Sequence, residues 1–559
     1  MDLQFNNSTK NFLFIYCFIL LLFNITADEY RVIYSSSRND LFNYKRFHVN
    51  SSYDGSLVIM IIDDHNDNRY KAIHTLLPNG SVSYFDLDFS DKDKNINVSR
   101  VFPLNKKLYF LLYDDIVDSY EQITGMLIDW NKQIIKDNIF VADGTIEKNP
   151  SLDLVLDLVL DTRLSYFLIY SQFKRVISWS LYNLQKETNI NLVANNSFEL
   201  SNNSTLKSVF PIVNGGYGFV TIEILYDNSS SISNISVPNA YLYYKFLVPT
   251  THKISEKFLL YYARNVDTIL YVSCSSSYSV DGNVCMITAL IEKSQNISMI
   301  VTYQIDFLSS GSIIGLKQRY LQKVNITTNY INSYFNIKPL FYGGSIVTSW
   351  VASCINHLCE VSHIGNCRCR HSLFYNLSGH IISINGSEKE WDLNPILNFI
   401  SATFDIMKNN TYILYVLYKP GNWSIFSIDL TKFREDFGYE NPNIISVYPN
   451  INNTISPYTN VINITFSNPI IKSSSNLSIY QTNETTKQFK LRKFYSGNSE
   501  DCNILNNTNT ISCNISPSIF NQLNSFYTIV VDNGFMRYAL TDEPIYGIVE
   551  NLWTFKTNS

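Results

Sequence analysis

Charged residues are scarce in this sequence. Only 16% of its 559 residues are Asp, Glu, Lys or Arg, the formal net charge is −5, and no basic tract stands out along the chain. Nucleic acids and anionic membrane surfaces are bound through clustered Lys and Arg. We therefore expect neither nucleic acid nor an anionic membrane surface as a partner.

The motifs of common enzymes and metal sites are also missing. The sequence has no Gly-x-Ser-x-Gly, no His-Glu-x-x-His and no Gly-x-x-x-x-Gly-Lys. Residues 63–68 have the spacing of a calcium loop but lack its turn glycine and its distal acidic ligand, so a solvated turn is favoured there. No sialidase-type Asp box occurs, and acidic residues fall mainly in turns. We predict no catalytic residue, no metal site and no cofactor.

Long apolar runs are confined to the N-terminus. Residues 12–23 are all apolar or aromatic, which is the length of a signal-peptide core and too short for a bilayer span. No second run of spanning length follows. We predict a signal peptide at residues 1–27 and an extracellular or cell-surface protein. The alternative is an uncleaved segment that tethers the chain to a membrane.

The cysteines support export. One of the nine, Cys17, lies in the apolar N-terminal run, and the other eight form local sets. Close, even-numbered sets are typical of disulfides formed in an oxidising compartment. Histidines lie among the middle four, so zinc is the alternative there, although no Cys-x-x-Cys is present. The predicted disulfide cysteines are Cys274 with Cys285, Cys502 with Cys513, and Cys354, Cys359, Cys367 and Cys369, for which three pairings are open.

Acceptor sequences for N-glycosylation are frequent. About twenty Asn-x-Ser/Thr sequences follow residue 27. An Asn- and Ser-rich composition produces some of these by chance, but in a secreted chain many would be used. The predicted glycosylation sites are Asn50, Asn79, Asn97, Asn195, Asn228, Asn234, Asn296, Asn325, Asn376, Asn409, Asn463, Asn476 and Asn514.

A sequence repeat indicates the architecture of residues 30–437. Residues 209–223 and 338–350 both contain Pro, a short apolar stretch, Gly-Gly and then a β-branched run, and residues 101–110 resemble their first half. Seven strongly apolar strands, at 55–62, 108–113, 165–170, 218–225, 268–274, 345–352 and 412–418, open successive units. The first five are spaced by roughly 50 to 60 residues, as in propeller blades. We predict an all-β, seven-bladed β-propeller; six or eight blades and an array of β-sandwiches are the alternatives.

Residues 152–161, which consist of Leu, Val and Asp, show two different periodicities. Asp153, Asp157 and Asp161 recur at helical spacing, whereas five leucines alternate strictly, which is the period of a strand. We favour a strand with a leucine face turned inward. Three carboxylates in line do not converge on one ion, so we predict no metal here.

The sequence changes character after Pro442. Four segments together resemble the SbsA-type Ig-like domain of S-layer proteins. They are residues 441–449, the strand at 460–469 that ends in Phe-Ser-x-Pro, the Tyr-Thr strand at 526–532 and the closing Trp-x-Phe-x-Thr at 553–557. The resemblance covers residues 440–557 and implies a C-terminal Ig-like β-sandwich. The glycine usual after the first-strand Pro is missing, and the Cys502–Cys513 pair is an addition. Trp553 and Phe555 would share one face and fill the core.

These observations predict a secreted or cell-surface glycoprotein that acts as a non-catalytic binding, adhesion or recognition module, and not an enzyme. The expected partner is an extracellular protein or carbohydrate. Trp391, in a polar stretch, could stack a sugar or anchor a partner. The alternatives are a propeller enzyme that processes extracellular polysaccharide, which needs carboxylates at the mouth of the ring, and a structural wall or coat protein.

Overall fold

The computed structural model describes residues 31–36, 44–51, 56–63, 70–77, 81–87, 98–104, 108–117, 120–131, 133–143, 155–161, 166–185, 189–213, 215–227, 237–264, 268–278, 281–294, 297–325, 334–354, 359–361, 367–369, 373–392, 401–407, 409–419, 422–482, 489–505 and 509–559. Every regular element in these ranges is a β-strand. The richness in Tyr, Phe and β-branched residues favours this outcome. The predicted all-β class is confirmed, and the predicted signal peptide lies outside the described residues.

Seven four-stranded antiparallel sheets follow one another along the chain, and the first strand of the chain, β1 (Arg31–Ser36), belongs to the last of them. The first three sheets are β2 (Tyr44–Ser51), β3 (Leu57–Asp63), β4 (Tyr70–Leu76) and β5 (Val82–Asp86); β6 (Val98–Leu104), β7 (Leu108–Val117), β8 (Tyr120–Asp129) and β9 (Ile134–Asp143); and β10 (Val155–Asp161), β11 (Tyr166–Phe173), β12 (Val176–Gln185) and β13 (Asn189–Glu199).

The next four sheets continue the same order. They are β14 (Ser204–Pro211), β15 (Tyr217–Asp227), β16 (Val237–Leu247) and β17 (Phe258–Arg264); β18 (Thr268–Ser276), β19 (Asn283–Ser294), β20 (Ile297–Phe307) and β21 (Ile313–Asn325); β22 (Tyr334–Pro339), β23 (Ser345–Cys354), β26 (Leu373–Ile382) and β27 (Glu388–Asp392), with the hairpin β24 (Cys359–Val361) and β25 (Cys367–Cys369) inserted; and β28 (Ser401–Ile406), β29 (Thr411–Lys419) and β30 (Asn422–Asp429) with β1.

Buried apolar side chains join each sheet to the next. Phe110 of the second sheet packs on Phe167 of the third, with ring centroids 5.5 Å apart. The last sheet packs on the first in the same way, through Ile413 and Trp423 against Ile59. Clusters of this kind occur between all seven consecutive pairs, so the sheets form a closed, propeller-like ring.

The sequence predicted that the most apolar strand opens each sheet, and this is wrong by one strand in most sheets. The strands at 55–62, 108–113, 165–170, 218–225, 345–352 and 412–418 are second strands, and only 268–274 opens its sheet. A second strand has hydrogen-bonded neighbours on both edges and other sheets on both faces, so every side chain from Leu108 to Tyr113 is buried. First strands are more polar and half-exposed, as β14 is, and the apolar pattern therefore missed them.

The repeated Gly-Gly forms the hairpin between first and second strands. Ile212 N donates to Gly216 O (2.9 Å), and Leu340 N donates to Gly344 O (3.0 Å) at the equivalent turn. A Cβ on Gly216 would overlap the carbonyl oxygen of Leu247, the last residue of the third strand. Gly344 meets Ile382 O in the same way, so the repeat preserves space for a third-strand carbonyl.

The C-terminal unit, residues 441–559, is a sandwich of two sheets and a small ribbon. The sheets are β31 (Ile444–Tyr448), β33 (Val461–Phe466), β38 (Thr510–Asn514) and β37 (Cys502–Ile504), and β32 (Thr454–Ile455), β41 (Ile548–Thr557), β39 (Phe526–Val531), β35 (Asn476–Thr482) and β36 (Phe489–Ser496); the ribbon is β34 (Ile470–Lys472) with β40 (Met536–Tyr538). Trp553 and Phe555 are buried in its core, on the shared face that the sequence predicts, and Trp553 Nε1 donates to Pro449 O (2.7 Å).

The C-terminal unit is docked on the ring through buried polar contacts. Both carboxylate oxygens of Glu543 accept hydrogen bonds from Ser309, one from its backbone N (2.9 Å) and one from its Oγ (2.8 Å). The ring of Tyr546 packs on Tyr278 with centroids 4.8 Å apart. Arg434 donates to Tyr278 O (2.6 Å) and to Asn443 Oδ1 (2.8 Å). These contacts hold the two parts in one orientation.

We expect Gly216→Ala to destabilise the ring, because the added Cβ meets backbone that cannot move without breaking the hairpin. Overpacking of this kind costs about 1–3 kcal/mol, and the thermal midpoint should fall by several degrees. The control is Gly315→Ala, whose Cβ would meet only the end of the Asp306 side chain at 3.0 Å. Equal midpoints for the two variants in differential scanning fluorimetry would contradict the steric explanation.

Docking should weaken as pH rises through the acid range. Burial raises the pKa of Glu543; Ser309 and Arg537 oppose this, and the charge of Asp281 adds to it. A folded-state pKa above the unfolded value stabilises the fold at low pH, and this stabilisation is lost as pH rises through the folded pKa. Glu543→Gln keeps both contacts without the charge.

We expect the unfolding midpoint of the Glu543→Gln variant to vary less with pH than that of the parent chain. The range to test is about pH 4 to pH 7, in which a carboxyl group with a raised pKa titrates. The control is Glu550→Gln, because Glu550 is exposed on β41. Identical pH profiles of parent and Glu543→Gln would show that Glu543 does not control docking.

Candidate functional site

The first strands of the seven sheets converge at the centre of the ring. Contacts join β10 to β14, β14 to β18, β18 to β22, and β28 to β2 across the closure. Side chains on these strands that are not covered by a neighbouring sheet face the central opening. The charged residues of the first strands are therefore the natural candidates for chemistry.

Asp157 and Tyr170 are paired at this position, and the charge of Arg100 is near enough to affect both. Arg100 lies on β6 and Asp157 on β10, the first strands of consecutive sheets. Tyr170 is the register partner of Asp157 on β11. Tyr170 is buried, whereas Arg100 and Asp157 are half-buried, so the pair remains in contact with solvent. The electrostatic influence of Arg100 reaches both of the other residues.

The environment of this group shifts its acid–base properties. Burial raises the pKa of Asp157, although the Leu158 N–H, which donates to Asp157 Oδ1 (2.8 Å), and the charge of Arg100 both oppose the shift. Burial also raises the pKa of Tyr170, and the negative charge of Asp157 raises it further. Asp157 therefore holds a proton to higher pH than an ordinary aspartate, and Tyr170 remains a neutral hydroxyl donor.

A carboxyl group with a raised pKa, paired with a phenol and under the influence of a cation, can serve as a general acid. Arg100 can bind an anionic or strongly polar group of a substrate at the same place. The three side chains thus combine proton donation with substrate positioning.

A second charged pair lies on the inner strands of the last two sheets. Lys338 Nζ on β22 is 3.7 Å from Asp405 Oδ1 on β28, and Ile406 N donates to the same Asp405 oxygen (2.8 Å). Asp405 is one register pair from the end of its strand, whereas Asp157 is four pairs from the end. Asp157 is in the third sheet and Asp405 in the seventh, so the two aspartates belong to different groups of side chains.

The strand prediction for residues 152–161 agrees with β10 (Val155–Asp161), and Leu158 of the predicted leucine face packs on a core, but the opposite face of the strand is packed as well. Leu158 packs toward the second sheet and Val159 toward the fourth, because a first strand lies between two sheets. Asp157 was singled out in the sequence only as part of a carboxylate stripe. Its partner Arg100 is distant in sequence, so no local pattern could associate them.

Two predicted cysteine pairs are disulfide-bonded: Cys274 with Cys285, and Cys502 with Cys513. Each bridges register partners on adjacent antiparallel strands. The backbone of Cys359 is opposite that of Cys369 in the β24–β25 hairpin, and Cys354 is opposite Leu373. The side chains of Cys354, Cys359, Cys367 and Cys369 lie outside the described residues.

The predicted glycosylation sites differ in exposure where the structure describes their side chains. Asn195, Asn409 and Asn514 are exposed, whereas Asn463 and Asn476 are half-buried. The amide oxygen of Asn463 is shielded inside the central strand β33, which makes it a poor site for a glycan. The side chains of Asn50, Asn79, Asn97, Asn228, Asn234, Asn296, Asn325 and Asn376 lie outside the described residues.

Trp391 lies on β27, the last strand of its sheet, opposite Gly379. Its backbone is thus at the edge of the ring away from the first strands, and its side chain is outside the described residues. The calcium-like residues 64–68 are outside them as well. Among the residues that the structure does describe, no group of three His, Cys, Asp or Glu side chains is arranged for a metal ion, and no helix could span a membrane.

No family model and no curated protein matches this sequence. Similar solved structures include an α-L-arabinanase of Penicillium chrysogenum (10% identity, 71% of this chain and 96% of that chain, TM-score 0.34) and a family PL25 ulvan lyase (7%, 71% and 96%, TM-score 0.38). A third is a Bombyx mori GH32 β-fructofuranosidase (10%, 70% and 85%, TM-score 0.27). At these values the likeness concerns the general arrangement of sheets and assigns no activity.

These neighbours nevertheless correct one expectation from the sequence. The chain was expected to be a non-catalytic adhesion or recognition module and not an enzyme, whereas the three structures named above are an arabinanase, an ulvan lyase and a β-fructofuranosidase. The absence of known motifs was a weak basis for that expectation, because a ring assembles its central residues from strands far apart in sequence. Of the interpretations drawn from the sequence, the alternative of a polysaccharide-processing propeller enzyme agrees better with this comparison.

Proposed function

We propose that residues 30–437 form a seven-bladed β-propeller and residues 440–557 an SbsA-type Ig-like domain of an extracellular glycoprotein. Seven four-stranded sheets and seven apolar clusters between them support the first part. The two-sheet core around Trp553 supports the second. The two disulfides and the apolar residues 12–23 support passage through the secretory pathway.

We propose further that the chain processes extracellular polysaccharide at the centre of the ring. The observation that carries this proposal is the position of Asp157 on the inner strand β10, paired with Tyr170 of β11 and influenced by the charge of Arg100, where burial raises the pKa of Asp157. Cleavage of a glycosidic bond requires a proton for the departing sugar oxygen. Asp157 is suited to supply it, because it stays protonated at a pH at which ordinary aspartates have lost the proton.

The neighbours of Asp157 have supporting roles in this proposal. Arg100 binds a polar or anionic substituent of the sugar and limits the rise in the pKa of Asp157. Tyr170 donates a hydrogen bond from a hydroxyl that remains protonated. The second group of the reaction, which accepts a proton or attacks the sugar, is not assigned.

Asp157→Asn should abolish processing, because Asn keeps the shape of the side chain but has no acidic proton. General acids contribute about 10²–10⁴-fold in rate, so kcat should fall at least a hundredfold. The assay is the release of new reducing ends from a panel of neutral and uronic-acid polysaccharides by the secreted chain. Asp405→Asn, at the pair with Lys338, is the matched control and should retain activity.

The pH profile tests the assignment of Asp157 independently. Activity that depends on protonated Asp157 is lost as pH rises through its pKa, which forms the alkaline limb of kcat. Since the charge of Arg100 lowers this pKa, Arg100→Gln should move the limb to higher pH. Lys338→Gln removes a cation from another inner strand and should leave the limb in place. Full activity of Asp157→Asn, or no product from any substrate with the folded parent chain, would refute the proposal.

A further inference from the structure

The C-terminal unit has a surface pocket of about 380 Å³ on the outer face of its five-stranded sheet. The pocket is formed by β36, β35, β39 and β41, far in sequence from the central strands of the ring. Its volume is within the roughly 300–1,000 Å³ range of small-molecule sites.

Two phenylalanines flank the pocket. Thr482 is the register partner of Phe489 on one side and of Phe526 on the other, so the three residues form one row across the sheet. With strands about 4.8 Å apart, the two phenylalanine backbones are about 10 Å apart, with the threonine between them. Phe489 is 38% exposed and Phe526 is half-buried, so both rings can contact a ligand.

Hydroxyl groups form the floor. Thr482 and Thr528 share a hydrogen bond (Oγ1 to Oγ1, 3.2 Å), and Thr554 Oγ1 donates to Asn452 Oδ1 (3.2 Å). Thr528 and Thr554 are themselves register partners, in the row beside the two phenylalanines. A hydroxyl has one donor and two acceptor positions, so the half-buried Thr482 and Thr554 have unused capacity for a ligand, whereas Thr528 is buried beneath them.

A bulge in β41 supplies the remaining wall. Ile529 pairs with Trp553 and Val531 with Ile548, so the four residues 549–552 lie opposite the single residue 530 and β41 has three extra residues here. Asn551, in this bulge, is exposed and has φ of 68°, a conformation that few residues other than glycine adopt. Bulges commonly re-aim a side chain at a functional site, and here the amide of Asn551 lines the pocket.

The lining is uncharged. Apart from the six residues above, the pocket is lined by Tyr527, whose ring is buried in the core and stacked on Phe555 at 6.1 Å. Aromatic faces beside hydroxyl and amide groups match the chemistry of a neutral sugar, which has apolar C–H faces and many hydroxyls. The nearby cation is Lys556, the register partner of Phe526; its Nζ lies 5.0 Å from the centroid of the Phe526 ring and is not part of the lining.

We propose that this pocket is a binding site for a neutral sugar unit of a polysaccharide. Binding there is independent of Asp157 and does not require that the ring be catalytic. A site on a unit that is docked in one orientation holds the chain of sugars at a fixed place relative to the ring.

The test is affinity electrophoresis of the full secreted chain in gels that contain arabinan, galactomannan or mixed-linkage β-glucan, with polygalacturonate as the acidic probe. We expect retardation by at least one neutral polysaccharide. Phe526→Ala and Asn551→Gly should weaken binding about tenfold, as the loss of one stacking or one hydrogen-bonding group. Asn551→Gly relieves the positive φ, so its thermal midpoint should not fall and a loss of binding cannot be attributed to unfolding.

The matched control is Phe494→Ala, which removes an equally large, 57% exposed ring from β36 outside the pocket. It should bind as the parent does, and Asp157→Asn should also be retarded. No retardation by any neutral polysaccharide, equal retardation of all variants, or retardation by polygalacturonate alone would overturn the proposal. Loss of catalysis in Asp157→Asn with retained binding would separate this site from the one in the ring.

Discussion

Closure of the ring depends on the hydrogen bonds between β1 and β30. Arg31 is opposite Ser427 and Ser36 is opposite Trp423, so the first described strand completes the sheet formed by the last three strands of the ring. This pairing removes the free edge of β30 and fixes the last sheet against the first, where Ile413 and Trp423 pack on Ile59. The outer edge of each first strand is left at the centre of the ring while its two faces pack on neighbouring sheets, and Arg100 and Asp157 are half-buried in that position.

The sequence predicts the class of fold well because its strongest signals are local. Gly-Gly turns mark two of the sheets, and the predicted apolar strands are second strands in six of the seven. A glycine beside the carbonyl of Leu247 or Ile382, and a strand covered on both faces, leave few alternatives. First strands such as β14 and β10 are mixed in polarity, because one part of their surface is packed and another faces the opening. Hydrophobic pattern alone cannot identify them, and the strand order was therefore assigned wrongly.

The candidate sites were less accessible to sequence reasoning, for a related reason. The charge of Arg100 reaches Asp157 only because β6 and β10 are first strands of consecutive sheets, and neither residue belongs to a motif. The pocket of the C-terminal unit combines four strands and a bulge whose existence depends on the pairing of β39 with β41. Trp391, which its polar sequence surroundings suggested as a ligand contact, is on an outer strand. The candidate sites of this protein are formed by residues on neighbouring strands and not by residues that are close in sequence.

The pairing of β1 with β30 also determines the order in which the protein can be made. Because β1 leaves the ribosome first and its partner is among the last strands of the ring, the seventh sheet cannot form until nearly all of residues 31–429 has been synthesised. The intermediate sheets are built from hairpins and can pair as they emerge, and Cys274 and Cys285 lie on adjacent strands of one such hairpin. During synthesis, the edge of β2 and the unpaired β1 are therefore the parts of the growing chain that most need chaperone protection.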